Sequence, residues 1–220
     1  MKIISGRQNL IVILHEGKEI FFQCPAFRGA FGEVAKQINK AELNRPNSSE
    51  TASLIYETWK SEISSKIAFD WLWEFTGNFY LPKSNEEINN GVILDLDSQN
   101  LKFEKGKLVM DKNSLIKRLK ENDALVKFVP FKYKIGEQSW RELEKNKYIL
   151  ARYGEEGTQK ISEVASKYKH SPKVYSYDFV LEEKIKMSAS ASDLNVKCRF
   201  DIYGGFNDIG VVQAFGILKK

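Results

Sequence analysis

Two aspartates separated by one residue are the sharpest acidic candidates for chemistry. Asp95 and Asp97 lie in residues 92–97, an apolar run that predicts a β-strand. Because residues spaced by two on a strand share a face, the two carboxylates could together hold a hard cation such as Mg²⁺. The alternative is structural, since aspartate is common where a strand ends and residues 97–100 have the composition of a turn. A divalent-metal-dependent enzyme and a plain turn therefore both stay open.

A basic stretch in the middle of the chain is the second candidate. The 220-residue protein has a formal net charge of +5, but residues 101–170 alone hold 17 basic and 10 acidic side chains. This asymmetry favours an anionic partner, either a nucleic acid or an acidic protein. The candidate contacts lie within residues 102–134, and they are Lys117, Arg118, Lys120, Lys127 and Lys132.

Four aromatic residues alternate with these cations: Phe103, Phe128, Phe131 and Tyr133. In proteins that bind single-stranded nucleic acids, cations contact the phosphate backbone and aromatic rings stack on the bases. On strands, however, alternating residues point to opposite faces, so the aromatics would face a core and the lysines would face water. Arginine, the residue suited to bidentate phosphate or base contacts, is also scarce here. A solvated lysine face is the alternative to a nucleic-acid surface.

Other chemistries lack the residues they need. The two histidines, His15 and His170, are far apart in polar segments, and neither has a second ligand at metal spacing, so solvated imidazoles are expected. The two cysteines, Cys24 and Cys198, lie among apolar residues and are expected to pack as small hydrophobes. No nucleophile motif and no cofactor motif is present. A binding or interaction domain without a cofactor is therefore the leading hypothesis, ahead of nucleic-acid binding and of a metal-dependent enzyme.

Aromatic and apolar residues recur at every fourth position from Ile55 to Phe75, which predicts one or two helices. Residues 76–78 would end this helical segment, and Ser48 or Ser49 would cap its start. Its aromatic group of Trp59, Trp71, Trp73 and Phe75 could line a ligand pocket. The same spacing is more typical of core packing.

Residues 181–202 alternate between apolar and polar side chains. The apolar positions are odd from Leu181 to Ala191, except for Glu183, and even from Leu194 to Ile202, which predicts a hairpin with a two-residue turn at 192–193. In that register Met187 faces Cys198, and one face of the hairpin is wet. Residues 209–218 would add a third strand, completing a meander.

These patterns together predict an α+β protein, with an antiparallel sheet and a C-terminal β-meander packed against aromatic-rich helices. Residues 1–220 are expected to form a single domain. No apolar run is long enough to span a bilayer, and residues 1–14 do not have the pattern of a signal peptide, so a soluble cytoplasmic protein with no membrane partner is expected.

Three segments of the sequence resemble stretches of uncharacterised archaeal proteins of unknown activity. They are residues 47–54 (NSSETASL), 79–87 (FYLPKSNEE) and 151–157 (ARYGEEG). The resemblance implies a cytoplasmic prokaryotic setting and assigns no functional residue.

Overall fold

The structure, a computed structural model, describes residues 1–4, 9–59, 71–82, 90–177, 186–195, 199–206 and 211–219. The helices are α1 (Phe31–Lys40), α2 (Ser48–Trp59), α3 (Lys112–Lys120), α4 (Trp140–Leu143) and α5 (Lys147–Ala165). The strands are β1 (Lys2–Ile4), β2 (Asn9–His15), β3 (Lys18–Cys24), β4 (Phe27–Gly29), β5 (Trp71–Leu81), β6 (Gly91–Asp95), β7 (Lys102–Glu104), β8 (Lys107–Val109), β9 (Val126–Pro130), β10 (Gly136–Glu137), β11 (Lys173–Tyr175), β12 (Lys186–Asn195), β13 (Arg199–Phe206) and β14 (Val212–Ala214). The predicted α+β class is confirmed.

The main sheet is organised around the long strand β5. On one side β5 pairs with β12, followed by β13, β11 and β10. On its other side two short pairs share its length: β14 and β4 lie at its start, whereas β6 and β9 lie at its end. Most neighbours are antiparallel, but β11 with β13 and β14 with β5 are parallel. Strands β1 to β3 form a separate small sheet, and β7 with β8 forms a hairpin.

Helix ends follow local side-chain chemistry. The side chain of Asn47 accepts a hydrogen bond from the backbone N–H of Glu50 at 3.0 Å, and the Glu50 carboxylate accepts from the Asn47 N–H at 2.8 Å. The cap of α2 is thus one residue earlier than predicted. Asp111 caps α3, accepting from the N–H of Ser114 at 2.7 Å. Gly154, with φ of 70° and ψ of 177°, interrupts α5.

The predicted helix through Trp71–Phe75 is wrong, because these residues belong to strand β5. Every residue of β5 after Trp71 is buried, since the strand is central and both of its faces are covered. Such a strand shows no polar–apolar alternation, and its apolar residues matched a helical spacing by coincidence. Trp73 and Phe75 pack in the core, each ring near Phe31 with centroids 5.0 Å apart, and do not form a pocket.

The predicted hairpin register at the C-terminal end is also wrong. Leu194 pairs with Phe200 and Asp193 with Asp201, so residues 192–193 lie within β12 and do not form a turn. Residues 178–185 and 196–198, including Cys198, lie outside the described residues. The error arose because the serine face of β12 is not wet. It is buried instead, with 0–1% exposure at Ser188, Ser190 and Ser192, and residues of α5 contact β12, as Tyr153 does at the Ser192 hydroxyl. Strand β14 pairs with β4 and β5, not with β13.

A buried ion pair explains why a polar face can be inside. The Arg152 guanidinium on α5 donates to Oε2 of Glu74 on β5, with distances of 2.7 Å from Nη2 and 3.1 Å from Nε, and both side chains are fully buried. The hydroxyls of Tyr153 (3.0 Å) and Ser192 donate to the other carboxylate oxygen. The charged pair is therefore hydrogen-bonded on every side that faces the sheet, which is the condition for burying charge.

The same arginine also binds backbone carbonyls of the two neighbouring strands. It donates to the carbonyl of Tyr203 on β13 at 2.9 Å and to that of Ala191 on β12 at 3.2 Å. One turn earlier on α5, Tyr148 donates to the side chain of Asn78 on β5 at 2.7 Å. Helix α5 is thus joined to three adjacent strands by polar contacts.

Apolar clusters fill the space around this network. The largest lies between the main sheet, α2, α5 and the β2–β3 hairpin. A second lies under α1, where Phe31, Val34 and Ile38 meet β5. A third lies under α3, where Leu115 and Ile116 pack against Ile93 and Val126. In the part of the chain that the structure describes, no helix has the length and hydrophobicity needed to cross a membrane.

His15 joins the β2–β3 hairpin to two helices, and it is not the solvated imidazole that was expected. Its Nδ1 lies 2.9 Å from the hydroxyl of Ser53 on α2, and the ammonium of Lys160 on α5 donates to the same hydroxyl at 2.9 Å. Burial lowers the pKa of His15, and the charge of Lys160 lowers it further, against the raising effects of Glu16 and Glu156. The folded protein therefore favours the neutral imidazole.

Removing one partner of the buried ion pair should strongly destabilise the fold. In Arg152→Met the Glu74 carboxylate stays buried without its cation, and we expect a loss of about 3–5 kcal/mol in the free energy of unfolding. Urea denaturation measures this loss. The double variant Glu74→Gln/Arg152→Met should recover part of it, whereas Lys134→Met, which breaks an exposed ion pair with Glu142, should change little. Equal stability of Arg152→Met and Lys134→Met would contradict the assignment.

His15 should make the protein less stable as the pH falls. Unfolded histidine takes up a proton near pH 6.5, whereas the folded imidazole does so only at lower pH, so its contribution is complete above 6.5 and is lost as the pH falls below it. Urea midpoints measured on both sides of this value should differ less for His15→Gln than for the wild type. His170→Gln, at an exposed histidine, should keep the wild-type difference, and an unchanged pH dependence of His15→Gln would refute the prediction.

Candidate functional site

The two candidate aspartates lie at the end of β6, but not on one strand face. Asp95 is the last residue of β6, and Asp97 lies beyond it, at the start of a turn. The backbone N–H of Asp97 donates to the Asp95 carboxylate at 3.1 Å, and the amide of Asn100 donates to the Asp97 carboxylate at 2.8 Å. The turn that was weighed as the alternative is therefore present, and it brings the two carboxylates together.

A guanidinium lies between these carboxylates. Nη1 of Arg118 on α3 donates to both oxygens of Asp95, at 3.1 and 3.2 Å, and Nη2 lies 3.6 Å from the Asp97 carboxylate. Its Nε donates to Asp123 at 2.7 Å. A metal ion bound to both Asp95 and Asp97 would have to displace this side chain. Among the described residues, no group of three or more His, Cys, Asp or Glu side chains could hold a metal ion.

The electrostatics of this cluster stabilise it as an ion pair. Burial raises the pKa of the Asp95 carboxyl, although the charge of Arg118 opposes that rise. Burial alone would lower the pKa of Arg118, but the hydrogen bond to Asp123 and the charge of Asp95 outweigh it and raise this pKa. Arg118 thus stays charged and holds α3 against the end of β6.

The five candidate cations for an anionic partner separate into two groups. Arg118 is half-buried and bound to carboxylates, as described above. The four lysines are exposed: Lys117 and Lys120 on α3, Lys127 on β9 and Lys132 in the segment after β9. The sequence therefore identified exposed cations correctly for the lysines but not for the arginine.

Helix α3 and strand β9, which carry Lys117, Lys120 and Lys127, share one apolar cluster. Inward-facing side chains of β8, α3 and β9, including Leu108, Ile116 and Phe128, belong to or pack against the cluster under α3. The lysines project from the outer sides of the same elements. We call residues 102–134 the lysine-rich lobe; it has ten basic and four acidic side chains.

The interleaved aromatics face inward, as the strand alternation predicted. Phe131 and Tyr133 are 6% exposed and belong to the largest apolar cluster. Phe103 packs against the cluster under α1 and Phe128 against the cluster under α3. None of these four rings is free to stack on a base.

A cavity of about 400 Å³ opens beside the Asp95–Arg118 cluster, between the β7–β8 hairpin, the turn at 97–100 and the start of α3. Lys102, Asp111 and Ser114 line it together with the cluster. No signal in the sequence predicts this cavity, because it lies between segments that only the tertiary structure brings together.

The remaining candidates are peripheral. Cys24 is half-buried at the end of β3, with a free thiol whose pKa is raised by burial, and it packs against the largest cluster. His170 is exposed. The Glu74–Arg152 network was missed by sequence reasoning, but it is fully buried and makes its contacts within the protein.

Comparisons with known proteins leave the family open and establish the fold. No protein-family model matches the chain, and no curated protein matches it. A solved structure does match: a protein described for the accommodation of massive sequence variation in Nanoarchaeota by the C-type lectin fold. The two chains are 14% identical and superpose with a TM-score of 0.64 over 88% of this chain and 98% of the other. At this identity the likeness concerns the fold, and the chain therefore shares the C-type lectin fold with an archaeal protein.

Proposed function

We propose that this protein is a binding domain that recognises an acidic protein partner through the lysine-rich lobe. The observation that carries the proposal is the excess of uncompensated lysines in the lobe. Of its nine lysines, only Lys117 and Lys134 have a carboxylate within 4 Å among the described residues, from Glu121 at 3.9 Å and Glu142 at 2.7 Å. The others are Lys102, Lys105, Lys107, Lys112, Lys120, Lys127 and Lys132. Uncompensated cations on one lobe create a positive potential that attracts and orients an acidic surface.

The contacts favour a protein over a nucleic acid as this partner. Base stacking needs exposed rings, but the four aromatics of the lobe face inward. Bidentate phosphate contacts need a free guanidinium, but Arg118 is already bound to Asp95 and Asp123. The lysines that remain are mobile point charges, which suit carboxylates distributed over a protein surface.

The shared fold supports a binding role of this kind. The Nanoarchaeota protein is described as a C-type lectin fold that accommodates massive sequence variation. A scaffold whose core is held by a network such as Glu74–Arg152 can vary its surface without losing its fold. In this chain we place the recognition surface on the lysine-rich lobe.

Charge reversal on α3 tests the proposal. We expect labelled poly-L-glutamate, followed by fluorescence anisotropy, to bind the wild type and to bind less tightly as salt rises from about 50 to about 200 mM. The variant Lys117→Glu/Lys120→Glu should bind at least about tenfold more weakly, because the positive potential of the lobe is reduced. The matched control Lys167→Glu/Lys169→Glu, at exposed lysines beyond the end of α5, should bind like the wild type.

The outcomes separate the partner classes. Equal losses in the two double variants would show that only net charge matters, and the assignment to the lobe would be wrong. Tighter binding of a single-stranded oligonucleotide than of poly-L-glutamate at the same salt would replace the acidic partner with a nucleic acid. Absence of binding to either polyanion at low salt would refute an anionic partner.

A further inference from the structure

The cavity beside Asp95 has features that the lysine-rich lobe does not explain. Its volume of about 400 Å³ lies within the range of small-molecule pockets, about 300–1,000 Å³. It lies between elements that other contacts hold in place: the Asp111 cap starts α3 on one side, and the paired β7–β8 hairpin forms the other. A preformed cavity of this size can bind a ligand with little rearrangement.

One wall is polar but already satisfied. The Asp95 carboxylate accepts from Arg118, and the Asp97 carboxylate accepts from the side chain of Asn100. Both carboxylates are thus hydrogen-bonded within the protein, although together with the single guanidinium they leave this wall one negative charge. The wall therefore defines shape and polarity, and its hydrogen-bonding groups are already in use.

Two charged groups on the remaining walls are not compensated. Among the described residues, Lys102 has no carboxylate within 4 Å and Asp111 forms no ion pair. One oxygen of Asp111 caps α3 by accepting from the backbone N–H of Ser114. Lys102 lies on β7 and Asp111 lies two residues beyond the end of β8, and both line the cavity. The hydroxyl of Ser114 lines the same space. One free cation and one free anion thus face a common cavity.

The rest of the lining is apolar. Leu101, Val109, Met110 and Leu115 contribute their side chains to the cavity. Of these, Leu101, Met110 and Leu115 are at most 9% exposed, so they form a fixed apolar wall. A ligand that fits must combine opposite charges at one end with an apolar group at the other.

We propose that this cavity is a binding site for a zwitterion with an apolar side chain, of the class of the apolar α-amino acids. The ligand ammonium donates to the free oxygen of Asp111, and the ligand carboxylate accepts from Lys102 and Ser114. The apolar side chain lies against Leu101 and Leu115. Such a ligand is neutral overall, so the positive lobe does not repel it, and it compensates both free charges at once.

Calorimetric titration of the full chain with L-leucine tests the proposal. L-leucine should bind, whereas L-leucinamide, which lacks the carboxylate, and N-acetyl-L-leucine, which lacks the ammonium, should each bind at least about tenfold more weakly. Absence of binding of L-leucine at millimolar concentration, or equal binding of either derivative, would overturn the proposal.

Variants identify the two contacts. Lys102→Gln should weaken binding of L-leucine but leave L-leucinamide unchanged, and Asp111→Asn should weaken L-leucine but leave N-acetyl-L-leucine unchanged. Asparagine also caps helices well, so Asp111→Asn keeps α3 intact. Lys105→Gln, at the hairpin turn, is the matched control and should bind like the wild type. Unchanged affinity in both Lys102→Gln and Asp111→Asn would place any binding elsewhere.

The site can be tested separately from the acidic partner proposed for the lobe, because Lys102 belongs to both proposals but Lys117 and Lys120 do not line the cavity. The variant Lys117→Glu/Lys120→Glu changes the outer face of α3 and should bind L-leucine as the wild type does. Loss of poly-L-glutamate binding with retained leucine binding separates the two surfaces. Loss of both in this variant would contradict the assignment of the zwitterion to the cavity.

Discussion

The structure depends on one buried ion pair, between Glu74 near the start of β5 and Arg152 on α5. Removing two charges from water costs several kcal/mol for each ion, and only close hydrogen bonds can offset that cost. The pair has them: hydroxyls of Tyr153 and Ser192 bind the carboxylate, and carbonyls of β12 and β13 bind the guanidinium. This requirement fixes where α5 crosses the sheet, and it explains why Ser192 of β12 faces inward.

The candidate sites are connected to this ion pair through strands β5 and β6. Strand β5 is held by the ion pair near its start, and its end pairs with β6 through Gly77–Leu81. Asp95 ends β6, and its bonds to Arg118 hold α3 in place. Lys117 and Lys120 of the lysine-rich lobe do not line the zwitterion cavity, so the two proposals use different faces of a helix whose position is determined by a salt bridge. The first proposal uses the outer face of α3 and the second uses its start.

Sequence reasoning succeeded where an element has one wet face and failed where it has none. In residues 102–134, alternation correctly predicted that the aromatic side chains face the core and the lysines face water. Strands β5 and β12 were misjudged because both their faces are buried, one of them by polar side chains that look solvent-facing in a sequence. Individual residues of the Asp95–Arg118 cluster were named as candidates, but their contact was not predicted. Asp95 and Arg118 are 23 positions apart and were assigned to different functions, since only the tertiary structure brings them together.

Strand β9 adds a consequence for the behaviour of the protein at high concentration. In the described part of the chain it pairs only with β6, so its other edge carries backbone groups open to pairing with another molecule. Open edges promote aggregation unless a charge or a proline interrupts them. Lys127 is exposed in this strand and Pro130 ends it. The lysine that contributes to the positive potential of the lobe thus also protects the sheet from intermolecular strand addition, and the two roles constrain this position together.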